Sequence, residues 1–287
     1  MKTALFTKVL GERSLTEVVD IAAEMGYDGV EPMGREPHLP PETPLDQVEH
    51  LRARLDEHGL DVPCFATYTG GYVDTTDEER EAALADLRHC LEIATTLDCG
   101  LVRHSVEGPP VRHAVESDFE TAAAWFRRAA DLADEYDIRL AVEIHAHKLT
   151  ETTESTLKLL EMVDRDNVGA IHDAGNMFIV DAPYGPETVE RLGDRLFHVH
   201  VKDERRVDDD SLPGTFELET RHGLELFQPR RLGDGDVDHR PLIAALADAG
   251  YDGSLTVECH VPTDDPDSDL DVARHELAVL REYLDDV

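Results

Sequence analysis

A single (β/α)8 barrel is the fold class that this sequence predicts. Short apolar strands alternate with amphipathic helices about eight times from end to end. The length of 287 residues suits one such barrel. No Gly/Ser or Pro tract divides the chain, so residues 1–287 read as one domain. The competitor is an open doubly wound sheet, which usually carries a glycine-rich phosphate turn after its first strand. None is visible here.

Each unit has its own local signal. Residues 3–8 form a short apolar strand, and helix 14–25 opens at Ser14 and stops near Gly26. Strand 27–31 is followed by helix 43–58, with Gly59 just past its end. Strand 62–66 precedes a long helix over 76–97, with Thr76 as N-cap and Asp77, Glu78 and Glu79 in its first turn. Strand 101–104, helix 117–136, strand 138–143, helix 154–163 and strand 168–172 continue the alternation. A short helix covers 186–192 and the seventh strand 196–201. Residues 204–235 make a long polar excursion, which in a compact domain signals a lid or binding segment. Helix 240–249, strand 254–258 and helix 270–284 close the chain.

The chemistry gathers around Phe197-His198-Val199-His200-Val201-Lys202-Asp203. Alternation puts Phe197, Val199 and Val201 on one face and the two histidines on the other. Buried imidazoles need hydrogen bonds or a ligand. Lys202 is assigned to the face opposite His200, from which the following loop could swing it to substrate; the alternative is a surface ion pair with Asp203. Three neighbouring strands also end in ligand-type side chains, at Glu143, Asp173 and Glu258. Consecutive barrel strands adjoin, so these four side chains converge at the C-terminal mouth. Three carboxylates packed together repel one another unless a cation joins them. Three oxygen ligands and one imidazole suit Mn2+, Mg2+, Co2+ or Zn2+.

Several runs together resemble the xylose isomerase-like TIM-barrel family of sugar isomerases and epimerases, inosose dehydratase and endonuclease IV. They are Val142-Glu143-Ile144-His145, Ile171-His172-Asp173-Ala174-Gly175-Asn176, the histidine strand, and Arg231-Leu232-Gly233-Asp234-Gly235-Asp236-Val237-Asp238. Ala249-Gly250-Tyr251-Asp252-Gly253 and Val257-Glu258 complete the set. The resemblance is strongest in the C-terminal half. It implies one divalent metal, Mn2+ first, held by Glu143, Asp173, His200 and Glu258. It also implies that Glu143 and Glu258 move protons through a metal-stabilised enediolate of a sugar, sugar phosphate or polyol. That is isomerase or epimerase chemistry, with dehydration of an inosose or keto acid as the alternative on the same site. A homodimer would be in keeping with the family.

Among substrate contacts, Asn176 stands where the family's ketose 3-epimerases have a histidine, Arg206 near their substrate arginine, and Lys202 where many members have a lysine. His104 ends the fourth strand and is a further pocket candidate. His145, His147 and His260 follow strand-end glutamates and are candidates to orient the ligands. His172 is read as structural. Endonuclease IV-like hydrolysis is the weaker alternative, because the extra histidines and aspartates of a three-zinc site are missing.

Composition narrows the partners to a small molecule. A net charge of −36 and a pI near 4.5 repel nucleic acid and anionic membrane. Lysine is confined to Lys2, Lys8, Lys148, Lys158 and Lys202. Such an acidic, lysine-poor surface resembles proteins of salt-loving archaea, where salt screens self-repulsion. Cys64, Cys90, Cys99 and Cys259 have no CxxC spacing and read as reduced thiols. No apolar run suggests a leader or membrane span, so a cytoplasmic enzyme is expected. The melting temperature should rise between about 0.1 and 2 M KCl as the Debye length shrinks; a flat or falling curve by scanning calorimetry would count against charge repulsion as a limit on stability.

Overall fold

The computed structural model describes residues 1–259, 261–262 and 266–287. The chain runs β1 (Lys2–Phe6), α1 (Leu15–Met25), β2 (Gly29–Glu31), β3 (Met33–Gly34), α2 (Leu45–His58), β4 (Phe65–Gly70) and α3 (Asp77–Thr96). It continues through β5 (Leu101–Ser105), α4 (Glu116–Asp134), β6 (Arg139–Glu143), α5 (Thr153–Val163), β7 (Val168–Asp173), α6 (Ala174–Ile179), α7 (Pro186–Leu192) and β8 (Leu196–Val201). Then come β9 (Asp203–Val207), β10 (Phe216–Thr220), β11 (Gly223–Arg230), α8 (Arg240–Asp248), β12 (Ser254–Val257) and α9 (Pro266–Asp285).

The parallel sheet has the order β2-β1-β12-β8-β7-β6-β5-β4-β3. Its two ends, β2 and β3, are separated only by Pro32, so they are two halves of one strand and the barrel closes through them. Proline has no N–H for the ladder, which explains the break. The Pro32 carbonyl still accepts from Ala66 N–H at 3.1 Å. The expected (β/α)8 barrel is therefore the fold.

Local chemistry explains the helix ends. Ser14 and Glu17 form a reciprocal capping box at the start of α1, and Thr76 and Glu79 form another at α3. Gly26 and Gly59, at φ 92° and 67°, end α1 and α2 in the left-handed conformation that glycine adopts without strain. Apolar side chains such as Leu87, Leu91, Phe126, Val199 and Leu255 form the main core between strands and helices. Inside the barrel, Cys64, Leu101, Ala141 and Ile171 make a separate apolar plug. All four cysteines are free and buried. Among the described residues, no helix is long and apolar enough to cross a membrane.

Three expectations change. The strand expected at 62–66 lies at Phe65–Gly70. The excursion over 204–235 is largely a three-stranded antiparallel sheet, ordered β10-β11-β9. Phe227 from that sheet packs with Ala146 and Ile179, against which Phe178, Phe216 and Leu218 also lie. Thus the excursion has its own small core and is anchored to the barrel mouth. Finally, Phe197 does not share a face with Val199 and Val201. Ala170 aligns with Leu196 but Ile171 with His198, so β8 carries one extra residue against β7. That bulge turns Phe197 inward onto the apolar plug.

The Phe197 ring fits there because residue 169 is glycine. A Cβ at Gly169 would lie 2.6 Å from the Arg195 carbonyl oxygen and from ring atoms of Phe197. Gly169→Ala should therefore destabilise the barrel by about 1–3 kcal/mol; a denaturant midpoint equal to that of the parent would show that the bulge can relax.

Candidate active site

The site is built on β6, β7, β8 and β12, which are consecutive in the sheet. Register places Asp173 beside His200 and His200 beside Thr256, one turn of the pleat before Glu258. Glu143, Asp173, His200 and Glu258 each offer a ligand atom, all within 4.8 Å of one another, and all four residues are buried. The four expected ligands are thus brought together.

His200 shows how the cluster is oriented. Its Nε2 donates to Glu31 Oε1 at 3.0 Å, an assignment that follows from the carboxylate partner. Its Nδ1 faces Glu258 Oε2 at 3.1 Å and Glu143 Oε1 at 3.5 Å. Among the described residues this buried Nδ1 has no hydrogen-bond partner. A nitrogen lone pair aimed at converging carboxylate oxygens is the donor set of a divalent cation, and a carboxylate on the far ring nitrogen is its usual support. Burial pushes the Glu31 carboxyl up, but His200 and His198 outweigh it and hold Glu31 well below the carboxylate range. His198 Nε2 lies 2.8 Å from the other Glu31 oxygen, so Glu31 bridges both histidines. Glu31 was not singled out in the sequence; its only local signal is a glutamate at the end of a buried strand.

The remaining carboxylates are held by cations and amides. Arg103 donates to Glu143 Oε2 at 2.9 Å, with both side chains buried. Asn176 Nδ2 donates to Asp173 Oδ2 at 2.8 Å and to Glu143 Oε1 at 3.1 Å. Asn176 therefore belongs to the cluster, where it orients two carboxylates. Lys202 Nζ lies 3.2 Å from Asp173 Oδ2. The expected face for Lys202 is corrected here. Residues two apart on a strand share a face, so Lys202 follows His200 inward, and its partner is Asp173 rather than Asp203. Gly175 makes room for it, since a Cβ there would stand 2.7 Å from the Lys202 carbonyl oxygen and 3.1 Å from its Cε. Burial pushes the Asp173 carboxyl up to about 6; Lys202 opposes this, while Glu143 and Glu258 add to it. The cluster as a whole favours positive charge at its centre.

Asp203 has a structural task instead. Its carboxylate accepts from the N–H groups of Gly233, Gly235 and Val237 at 2.8, 3.0 and 3.1 Å. The glycine-rich run 231–238 wraps this one side chain. A Cβ at Gly235 would stand 2.0 Å from Asp203 Oδ1.

Two other expected contacts are not in the site. His104 follows the inward-pointing Arg103 and so points outward. Its nitrogens meet Thr69 Oγ1 at 3.0 Å and Tyr72 Oη at 2.6 Å, and its ring packs on Phe126 of α4. Arg206 lies on β9, paired with Asp181 at 3.1 Å and Glu225 at 3.2 Å. His172, as expected, is structural and bonds Thr188 at 3.0 Å. His145 lines the cavity, whereas His147 donates to the Glu219 carbonyl oxygen at 2.8 Å; His260 lies outside the described residues.

A cavity of about 80 Å³ opens over the cluster. Among the described residues its wall includes Glu143, Glu258, Lys8, Tyr68, Arg103 and Lys148, but neither Asp173 nor His200. The two glutamates reach the cavity while the other two ligands stand behind them.

The family model of the xylose isomerase-like TIM barrel matches residues 19–283, and the chain belongs to that family. Within it, the inosose dehydratase of Geobacillus kaustophilus is 27% identical over 256 residues, covering 84% of this chain and 79% of its own. Among solved structures, the IOLI protein with a bound zinc atom superposes with a TM-score of 0.77 at 18% identity, covering 99% of both chains. A D-psicose 3-epimerase in the presence of D-fructose gives 0.78 at 17% identity, also over 99% of both chains. The fold is that of the xylose isomerase-like TIM barrels, and a divalent metal fits the cluster.

Glu31→Gln should weaken Mn2+ binding about 10–100-fold by loosening His200; calorimetric titration with an unchanged affinity would remove Glu31 from that role. His104 gives a pH prediction. Burial lowers its pKa to about 3, so the folded state resists its protonation while the unfolded chain accepts it. Its contribution is complete above about pH 6.5 and is lost as pH falls through that value, costing about 2 kcal/mol at pH 5. The stability of His104→Gln should consequently decline less than the parent's between pH 7 and 5 in denaturant titrations.

Proposed function

We propose that the protein is a divalent-metal-dependent enzyme that removes a proton from carbon beside the carbonyl of a small polyhydroxy ketone. The observation that carries this reading is that Glu143 and Glu258 alone among the four candidate ligands line the cavity. A carboxylate with one oxygen turned to a cation can use the other for a proton. Bound in the cluster, a divalent ion supplies Lewis acidity that makes the C–H beside a carbonyl more acidic. Asp173 and His200 hold position, Glu31 fixes the His200 ring, and Asn176 orients two carboxylates. Glu258 and Glu143, both beside His200 Nδ1, are placed to remove and return protons. Lys202 and Asn176 are proposed to reach substrate hydroxyls from the cluster's edge. Returning the proton gives isomerisation or epimerisation of a sugar, sugar phosphate or polyol. We take Mn2+ as the resident ion and the cytoplasm of a salt-rich cell as the setting, on the strength of the oxygen-rich donor set and the charge of −36.

Dehydration is the second reading, and a specific observation favours it. Arg103 donates to one oxygen of Glu143 and Asn176 to the other, which holds that carboxylate in place and disfavours it as a second base. One base suffices when the proton it takes from carbon is passed to the hydroxyl on the next carbon, whose C–O bond breaks as the group departs as water. Inosose dehydratase is also the activity named for the 27% identical relative.

The test is deuterium wash-in by proton NMR in D2O, with Mn2+ and a panel of ketoses, inososes and keto acids. Exchange beside the carbonyl, lost on chelation, is expected. A product lighter by one water selects dehydration, and an isomer selects the first reading. Glu258→Gln should abolish exchange at saturating Mn2+ with the fold retained; an active Glu258→Gln protein would remove Glu258 as the base.

A further inference from the structure

The cavity wall holds one lysine that lacks the acidic partner which the other lysines have. Acidic residues outnumber Lys and Arg by 63 to 27. Four of the five lysines accordingly have a carboxylate partner within 4 Å: Lys2 with Asp61, Lys148 with Glu107, Lys158 with Glu116 and Lys202 with Asp173. Lys8 alone has none among the described residues, yet it is half-buried and lines the cavity beside Glu258. Tyr68 lines the same cavity, and its ring lies 4.0 Å from the Arg35 guanidinium and 4.7 Å from that of Arg103. Arg103 is committed to Glu143, but Arg35 has no carboxylate partner among the described residues. Aromatic faces hold guanidinium groups without neutralising them. Lys8 on the cavity wall and the exposed Arg35 over the Tyr68 ring, neither with a carboxylate partner among the described residues, offer two cationic donors to an anion from outside the chain.

We infer that the substrate of this site carries an anionic group, a carboxylate or a phosphate ester, which Lys8 and Arg35 receive at the Tyr68 rim while its hydroxy-ketone end faces Glu143 and Glu258. The inference rests on the enolisation reading for the second half of that statement and on the cation geometry for the first. It sets this site apart from one built for an uncharged sugar, whose rim needs hydroxyl and amide donors but no unpartnered ammonium group.

The experiment compares D-fructose, D-fructose 6-phosphate and 5-keto-D-gluconate at one fixed salt concentration, by calorimetric binding and by deuterium wash-in. Parent, Lys8→Gln, Lys8→Arg and Arg35→Gln proteins are measured side by side. The parent should bind at least one charged compound about tenfold or more tightly than D-fructose, and the phosphate and carboxylate arms identify which anion the rim accepts. Lys8→Gln should reduce that preference about tenfold, with Lys8→Arg restoring most of it. Charge-selective, Lys8-dependent binding without any exchange supports the inference and overturns enolisation. Equal binding of charged and neutral compounds, or a preference that survives both Lys8→Gln and Arg35→Gln, overturns the inference whether or not exchange occurs.

Discussion

Glu143, Asp173 and Glu258 crowd around one buried point, and the mutual repulsion of these carboxylates is the constraint that the rest of the structure answers. Like charges at such distances are tolerable only with opposite charge among them. Arg103, Lys202 and the amide of Asn176 each meet part of that demand from the sides. The centre is left to the Nδ1 of His200 and to whatever cation it binds. Glu31 then prevents the imidazole from turning, because it accepts the hydrogen bond from Nε2–H on the other side of the ring.

The barrel provides this arrangement with little help from loops. Strands β6, β7, β8 and β12 are adjacent, so strand ends far apart in sequence meet at one level. The interior beneath is apolar, with Cys64, Leu101, Ala141, Ile171 and the bulged Phe197 excluding water from below. Above, the sheet of β9, β10 and β11 grows directly from Lys202 and is tied down through Asp203. A scaffold of this rigidity suits a reaction in which a carboxylate must hold position through a proton transfer.

Charge is distributed unevenly, and that unevenness carries information. Exposed Asp and Glu residues dominate the surface and face solvent at little cost. Two cations, Arg103 and Lys202, support the carboxylate cluster, and Lys8 lines the cavity.

The sequence by itself determined the barrel and pointed to four side chains that the structure brings together at the candidate site. Strand alternation has a period of two, and helix ends are marked by Ser14, Thr76, Gly26 and Gly59, so element order is a local property. Glu143, Asp173, His200 and Glu258 were legible because each lies at the C-terminal end of its own strand. Only the tertiary structure decided the rest. Glu31 meets His200 across 169 residues, and Arg103 meets Glu143 across 40, pairings that depend on barrel closure and on which way one alternation step falls. His104 was misplaced for the same reason, one step from Arg103. The small sheet was missed although Phe216 and Leu218 alternate with Glu217 and Glu219, because its strands are short and mostly half-exposed and pair only with one another. Lys8 and Arg35 carry no motif at all; their meaning comes from what does not surround them, and absence of a partner is a fact about space rather than sequence.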